Sequence, residues 1–159
     1  MICNSSFELK QTLKSHISKN NIKWIKACSY GVHINSELLE LINEASKQYH
    51  IDTEVMLGIG NLAKKLDVDF LMRSLVKKYD KIKFYASLHS HSKYILCSDG
   101  FCAIGSINFT DSEWYETTIF GPLCTADYVK ILDMHNKKKK TNFKVVTREF
   151  SIFEHFDWR

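Results

Sequence analysis

Two histidines and a lysine recur at every second position in Leu88-His89-Ser90-His91-Ser92-Lys93-Tyr94. Side chains alternate across an extended chain, so a strand over residues 90–97 is expected to put His89, His91 and Lys93 on one face. Burying an unpaired lysine beside two histidines is costly, so that face should meet a cleft or an anion rather than a core. Asp99-Gly100 follows, a strong signal for a two-residue hairpin. The hairpin folds Gly105-Ser106-Ile107-Asn108 back beside the first strand, and Ser106 and Asn108 again lie two apart. An imidazole, an ammonium, a hydroxyl and a carboxamide then converge, and that set suits a phosphoryl group. Lysine supplies a point charge for phosphate oxygens. Serine and asparagine donate hydrogen bonds that tighten as charge builds on phosphorus. An unprotonated histidine can attack phosphorus. No nearby Asp/Glu cluster is suited to holding Mg²⁺, so no metal or other cofactor is expected.

The elements that must position these residues read as helix and strand in alternation. Ser5 and Glu8 have capping-box spacing, and Leu9, Leu13 and Ile17 follow at helical intervals. Residues 22–30 are rich in strand formers. Residues 37–49 carry Leu38, Leu41, Ile42 and Ala45 on one helical face, with Asn35 or Ser36 as cap. Residues 54–59 read as a short buried strand. Residues 69–79 read as a helix with Phe70, Leu71 and Val76 inward. Short strands then follow at 81–85, 90–97, 101–104 and 116–120, a helix at 128–136 and a last strand at 143–147. This order predicts an α/β sandwich, a mixed β-sheet flanked by helices, in one domain over 1–159.

The 159 residues carry a net charge of +4, with 45% hydrophobic and 25% charged residues. That composition is ordinary for a soluble globular domain and compatible with a polyanionic partner. The five cysteines, without a C-x-x-C pair, argue against a disulfide framework or a zinc site and fit reduced thiols in the cytoplasm. No apolar run is long enough for a signal peptide or a membrane span, so no membrane partner is expected.

His91-x-Lys93 followed by Gly105-Ser106-x-Asn108 resembles the HKD signature of the phospholipase D superfamily, H-x-K-x4-D-x6-G-S-x-N, with matching separation from His91 to Gly105. More loosely the likeness runs from about residue 22 to 120. It includes the strand with an aromatic near its end (27–32) and the apolar strand ending in Gly58-Ile59-Gly60. The layout is similar to single-motif bacterial nucleases and to restriction endonucleases with a phospholipase D-type catalytic domain. The aspartate of the signature falls on Ser98 here. Asp99, next to it, reads as a hairpin turn residue.

The resemblance implies a phospholipase D-like fold and a metal-independent phosphodiesterase working through a phosphohistidine. One histidine attacks phosphorus, and a second protonates the leaving oxygen and then activates water. One motif per chain implies a homodimer with a composite site. His91, Lys93 and Asn108 would be catalytic, with Ser106, Lys93 and Asn108 on the phosphate. Glu116 would hydrogen-bond the catalytic histidine, with Glu113 as the alternative. DNA is expected as substrate ahead of RNA, and a catalytically degenerate nucleic-acid-binding protein is the reading from another class. His89 reads as a supporting or partly exposed histidine, with substrate contact as the alternative. Lys137, Lys138, Lys139 and Lys140 read as a solvated helix end whose cations suit the macrodipole, or as a contact to the nucleic-acid backbone. Trp24, Trp114 and Trp158 read as core or interface residues.

Overall fold

The computed structural model describes residues 1–64, 67–106, 108–110 and 117–156. Ser5 accepts the Glu8 N–H at 3.2 Å and caps α1 (Ser6–Lys19), while the Glu8 carboxylate accepts the Asn4 N–H at 2.7 Å. Leu9, Leu13 and Ile17 form the buried stripe of this helix, as their spacing predicts. Ser36, rather than Asn35, caps α2 (Glu37–Tyr49) by accepting the Leu39 N–H. Asp67 caps α3 (Val68–Lys78). The inward face of α3 differs from expectation. Leu71 and Val76 pack against the core as expected, but Phe70 is 66% exposed, and Val68, Met72 and Leu75 are the residues fully buried there. Those three fall at the i, i+4, i+7 spacing that defines one helical stripe, which Phe70 does not share.

The strands are β1 (Ile2–Cys3), β2 (Trp24–Ser29), β3 (Asp52–Gly58), β4 (Ile82–Ser87), β5 (Tyr94–Cys97), β6 (Phe101–Gly105), β7 (Thr118–Pro122) and β8 (Lys144–Val145). They form one sheet in the order β1-β7-β6-β5-β2-β3-β4-β8. The three strands β2, β3 and β4 are parallel, and every other pairing is antiparallel. With α4 (Thr125–Thr141) and α5 (Ile152–His155), this is the expected mixed α/β sandwich. Ile25, Val55 and Ile95 point to the core shared with α1, α2 and α3. Cys28, Met56, Tyr94 and Leu96 point to a smaller core covered by Tyr128, Ile131 and Met134 of α4. Central strands buried on both faces read as continuous apolar runs rather than alternating ones.

Three boundaries shift for physical reasons. The strand expected over 90–97 begins only at Tyr94, because residues 88–90 leave the ladder to cross two glycines. A Cβ on Gly58 would lie 1.9 Å from the Ser90 carbonyl oxygen, and one on Gly60 would lie 2.2 Å from that of Leu88. The helix expected over 128–136 runs on to Thr141, since lysine is a good helix former and suits the last turn. The last strand shrinks to two residues, an edge pairing of Lys144 and Val145 with β4. The hairpin at Asp99-Gly100 forms, but through a three-residue loop, residues 98–100, between β5 and β6 rather than the expected two-residue one, because only Gly100 takes a positive φ. Gly100 has φ +92 and donates its N–H to Cys97 O at 3.1 Å.

A polar cluster holds α4 to the sheet. Glu54 of β3 accepts from Lys26 at 2.7 Å, Lys139 at 2.9 Å and His135 at 2.8 Å. The other ring nitrogen of His135, Nδ1, lies 2.8 Å from the Tyr94 hydroxyl. Burial alone would raise the Glu54 pKa. The hydrogen bonds from His135, Lys26 and Lys139 outweigh it and hold the carboxyl well below its ordinary 4.5.

A folded-state pKa below the unfolded one stabilises the fold at neutral pH. That contribution declines as pH falls below 4.5 and is gone only beneath the folded-state value. Glu54→Gln is therefore expected to cost about 3 kcal/mol at pH 7. The gap to wild type should narrow in urea titrations at pH 3. For Gly58→Ala, backbone must move, and overpacking of about 1–3 kcal/mol is expected as a lowered thermal midpoint.

Candidate functional site

The topology brings the ends of six strands together. β2, β3, β4 and β6 finish at one end of the sheet, where β5 and β7 begin. In open α/β sheets this is where ligands bind, beyond the carboxyl ends of the parallel strands. Tyr30 and Gly31 follow β2, His91 and Lys93 precede β5, and Ser106 follows β6.

His91 is exposed, and its ring stacks on Tyr30 with centroids 4.0 Å apart and planes inclined by 19°. Lys93 Nζ lies 5.8 Å from the centre of the same Tyr30 ring. Asn108 Oδ1 accepts the backbone N–H of Tyr30 at 3.2 Å and of Gly31 at 3.3 Å. The Ser29 hydroxyl accepts the Phe109 N–H at 3.1 Å and donates to Gly31 O at 2.6 Å. A parallel bridge between Val32 and Phe109 continues this attachment. Three of the expected residues, His91, Lys93 and Asn108, therefore meet around Tyr30. They do so through the turn after β2, not by alternation along one strand. Oδ1 of Asn108 is thus engaged, and Nδ2 is its only side-chain donor.

Ser106 lies at the same end but is tied to Thr117, the residue that leads into β7. Its hydroxyl accepts the Thr117 N–H at 3.0 Å, and its backbone N–H bonds Thr117 O at 3.0 Å. His89 is exposed, and its backbone N–H donates to Ser87 Oγ at 3.3 Å. Glu116 and Glu113 lie outside the described residues, as do Trp114 and Trp158. Trp24 is partly buried, with Lys26 Nζ 5.5 Å from its ring.

Ser98 and Asp99 sit at the opposite end of β5. The Ser98 hydroxyl accepts the Lys23 N–H at 2.8 Å, joining the hairpin to the start of β2. Asp99 Oδ1 accepts the Phe101 N–H, and Oδ2 lies 2.7 Å from His16 Nε2. Asn20 Nδ2 lies 3.2 Å from His16 Nδ1 and donates to His16 O, so the tautomer that satisfies both contacts carries its proton on Nε2. His16, Cys97 and Asp99 could in principle hold an ion, but this tautomer turns an N–H, not a lone pair, toward Asp99. Asp99 is thus a turn and clasp residue.

The lysine run divides. Lys139 is bound to Glu54 and lies 5.5 Å from the Tyr85 ring centre. Lys138 Nζ reaches Ser92 Oγ, between His91 and Lys93, at 3.5 Å. It does so because α4 starts near the hairpin, where the Tyr128 hydroxyl donates to Cys97 O, and ends at the site. Lys137 and Lys140 are exposed.

Beneath the site, Cys28 lies 3.5 Å from Ser90 Oγ, and burial raises its thiol pKa, so it is protonated and no nucleophile at neutral pH. A cavity of about 10 Å³, room for roughly one water, is lined by Cys28, Lys93, Gly105 and Thr118 among others. The sequence shows an aromatic near the end of the first strand, but nothing in it places Tyr30 at this site. Tyr30 is 61 positions from His91, and no local spacing connects them.

No family model and no curated protein matches the sequence. Solved structures do match. Nuc from Salmonella typhimurium, a phospholipase D family member, aligns with TM-score 0.73 and 13% identity over 92% of this chain and 97% of its own. NucT from Helicobacter pylori aligns with TM-score 0.65 and 16% identity over 92% and 97%. TrmBL2, an archaeal chromatin protein described as binding DNA, aligns with TM-score 0.57 and 15% identity over 89% of this chain and 53% of its own. The eight-stranded mixed sheet, its flanking helices and these alignments establish that this chain has the fold of the phospholipase D superfamily.

Proposed function

We propose that this protein hydrolyses phosphodiester bonds in nucleic acid, DNA ahead of RNA, with His91 as nucleophile and no metal. The observation that carries this reading is the meeting of an exposed His91 with Lys93 and Asn108 at one end of a sheet with this fold. A ring nitrogen of His91 attacks phosphorus. The N–P bond forms as the bond to the leaving oxygen breaks, and that oxygen takes a proton from the second copy's His91. The second histidine then takes a proton from water, which attacks phosphorus and releases the first. Lys93, with Asn108 Nδ2 and Ser106, balances the charge on the phosphoryl oxygens. Glu116, on the resemblance, orients His91.

A composite site needs two copies. An apolar row at the same end of the sheet supports this: Ile2 and Ile119 are register partners, each 62% exposed, with Ile104 paired beside Ile119. Among the described residues no helix is long and apolar enough to cross a membrane.

The non-catalytic reading draws on TrmBL2 and on Ser98 at the aspartate position. Against it, the Ser98 hydroxyl already accepts the Lys23 N–H, a structural bond made far from His91.

Plasmid DNA, RNA and a phosphodiester dye ester incubated with the full chain in EDTA separate these readings. Cleavage that falls about 10³-fold in His91→Ala supports hydrolysis. DNA retention without cleavage would support the binding reading, and dependence on Mg²⁺ would sink the phosphohistidine. Sedimentation should show a dimer at micromolar concentration, and a strict monomer would overturn the composite site. Lys138→Ala should weaken DNA binding across sequences and lower the salt slope by about 1. Lys139→Ala should instead lower thermal stability.

A further inference from the structure

Tyr30 touches three members of the cluster at once. Its ring is stacked on His91, with centroids 4.0 Å apart and only 19° between planes. Lys93 Nζ is 5.8 Å from the same ring. Its backbone N–H donates to Asn108 Oδ1. The ring itself is held from below, since a Cβ on Gly58 would lie 3.2 Å from Tyr30 Cδ2. The electron-rich face of an aromatic ring attracts a cation, and a near-parallel stack gains most when one ring is charged. An imidazole that donates its electron pair to phosphorus becomes charged in just this way, and it stays so until water displaces it. The same ring also lies near Lys93, so one aromatic ring serves both the lysine and the charged imidazole.

We infer that Tyr30 is the positioning residue for His91: its ring fixes the plane of the imidazole and stabilises the charge the imidazole takes on in the phosphoryl adduct. The second half of this inference rests on the phosphodiesterase reading; the stack itself does not. The phenol hydroxyl has no part in it, so phenylalanine should serve as well as tyrosine.

The test uses the full chain with Tyr30→Phe and Tyr30→Leu. Histidine ring protons are followed by NMR, with His91 assigned from His91→Ala. Ring current from Tyr30 should hold the His91 protons upfield in wild type and in Tyr30→Phe, and they should move downfield in Tyr30→Leu. With a phosphodiester dye ester, kcat should fall about tenfold in Tyr30→Leu with KM little changed, and stay within about twofold in Tyr30→Phe. Unmoved His91 protons in Tyr30→Leu overturn the stack. Full kcat in Tyr30→Leu, or equal losses in both variants, overturns the role in catalysis. A wild-type protein without activity would refute the phosphodiesterase reading and with it the catalytic half, while the NMR shifts still decide the positioning half.

Discussion

The placement of His91 depends on backbone crossing backbone at Gly58 and Gly60. The Ser90 and Leu88 carbonyl oxygens occupy the space that side chains at those two positions would fill. Carbonyl oxygens that close to the end of β3 leave the chain no room to join the ladder before Tyr94. Residues 91–93 therefore stand off the sheet as an irregular segment instead of adding rungs to β5. That geometry lays the imidazole on Tyr30 and brings Lys93 toward the same ring. It also puts Ser90 within 3.5 Å of the buried Cys28 thiol, so the segment is fastened from beneath as well as from the side.

A second constraint sets the rim of the site. Glu54 binds Lys26, Lys139 and His135 on the face of the sheet under α4. A carboxylate there without cations would carry a large desolvation cost, and cations there without it would be equally exposed to that cost. The cluster therefore fixes how α4 lies on the sheet, and α4 in turn delivers Lys138 to Ser92. One lysine of the run is consumed in holding the helix while its neighbour reaches the segment that carries His91. Adjacent residues on a helix point about 100° apart, which is why a run of four identical side chains divides its work.

Much of the fold was legible because its signals are local. The caps at Ser5 and Ser36, the stripe of Leu9, Leu13 and Ile17, and the Asp99-Gly100 hairpin each depend on residues a few positions apart. The exposure of Phe70 is not legible locally, because hydrophobicity alone does not say which side of a helix meets the core, and the deepest stripe is set by Val68, Met72 and Leu75. The start of β5 is not legible in the sequence, because alternation over 89–93 looks like a strand whether or not a neighbouring strand has room to pair with it.

Which groups are present, and how two short segments are spaced, follows from the order of residues alone: His91 with Lys93, and Ser106 with Asn108, joined by a hairpin whose turn needs a glycine at positive φ. Those are covalent and near-neighbour facts, settled by dihedral preference and chain connectivity. That Asn108 holds the turn after β2, that Ser106 pairs with Thr117, and that Tyr30 lies against His91 are outcomes of the packed fold. Those contacts join residues from 11 to 78 positions apart. They exist because a parallel β2-β3-β4 core and an antiparallel β5-β6-β7 meander end at the same edge, and strand order is a property of the packed sheet that no single segment encodes.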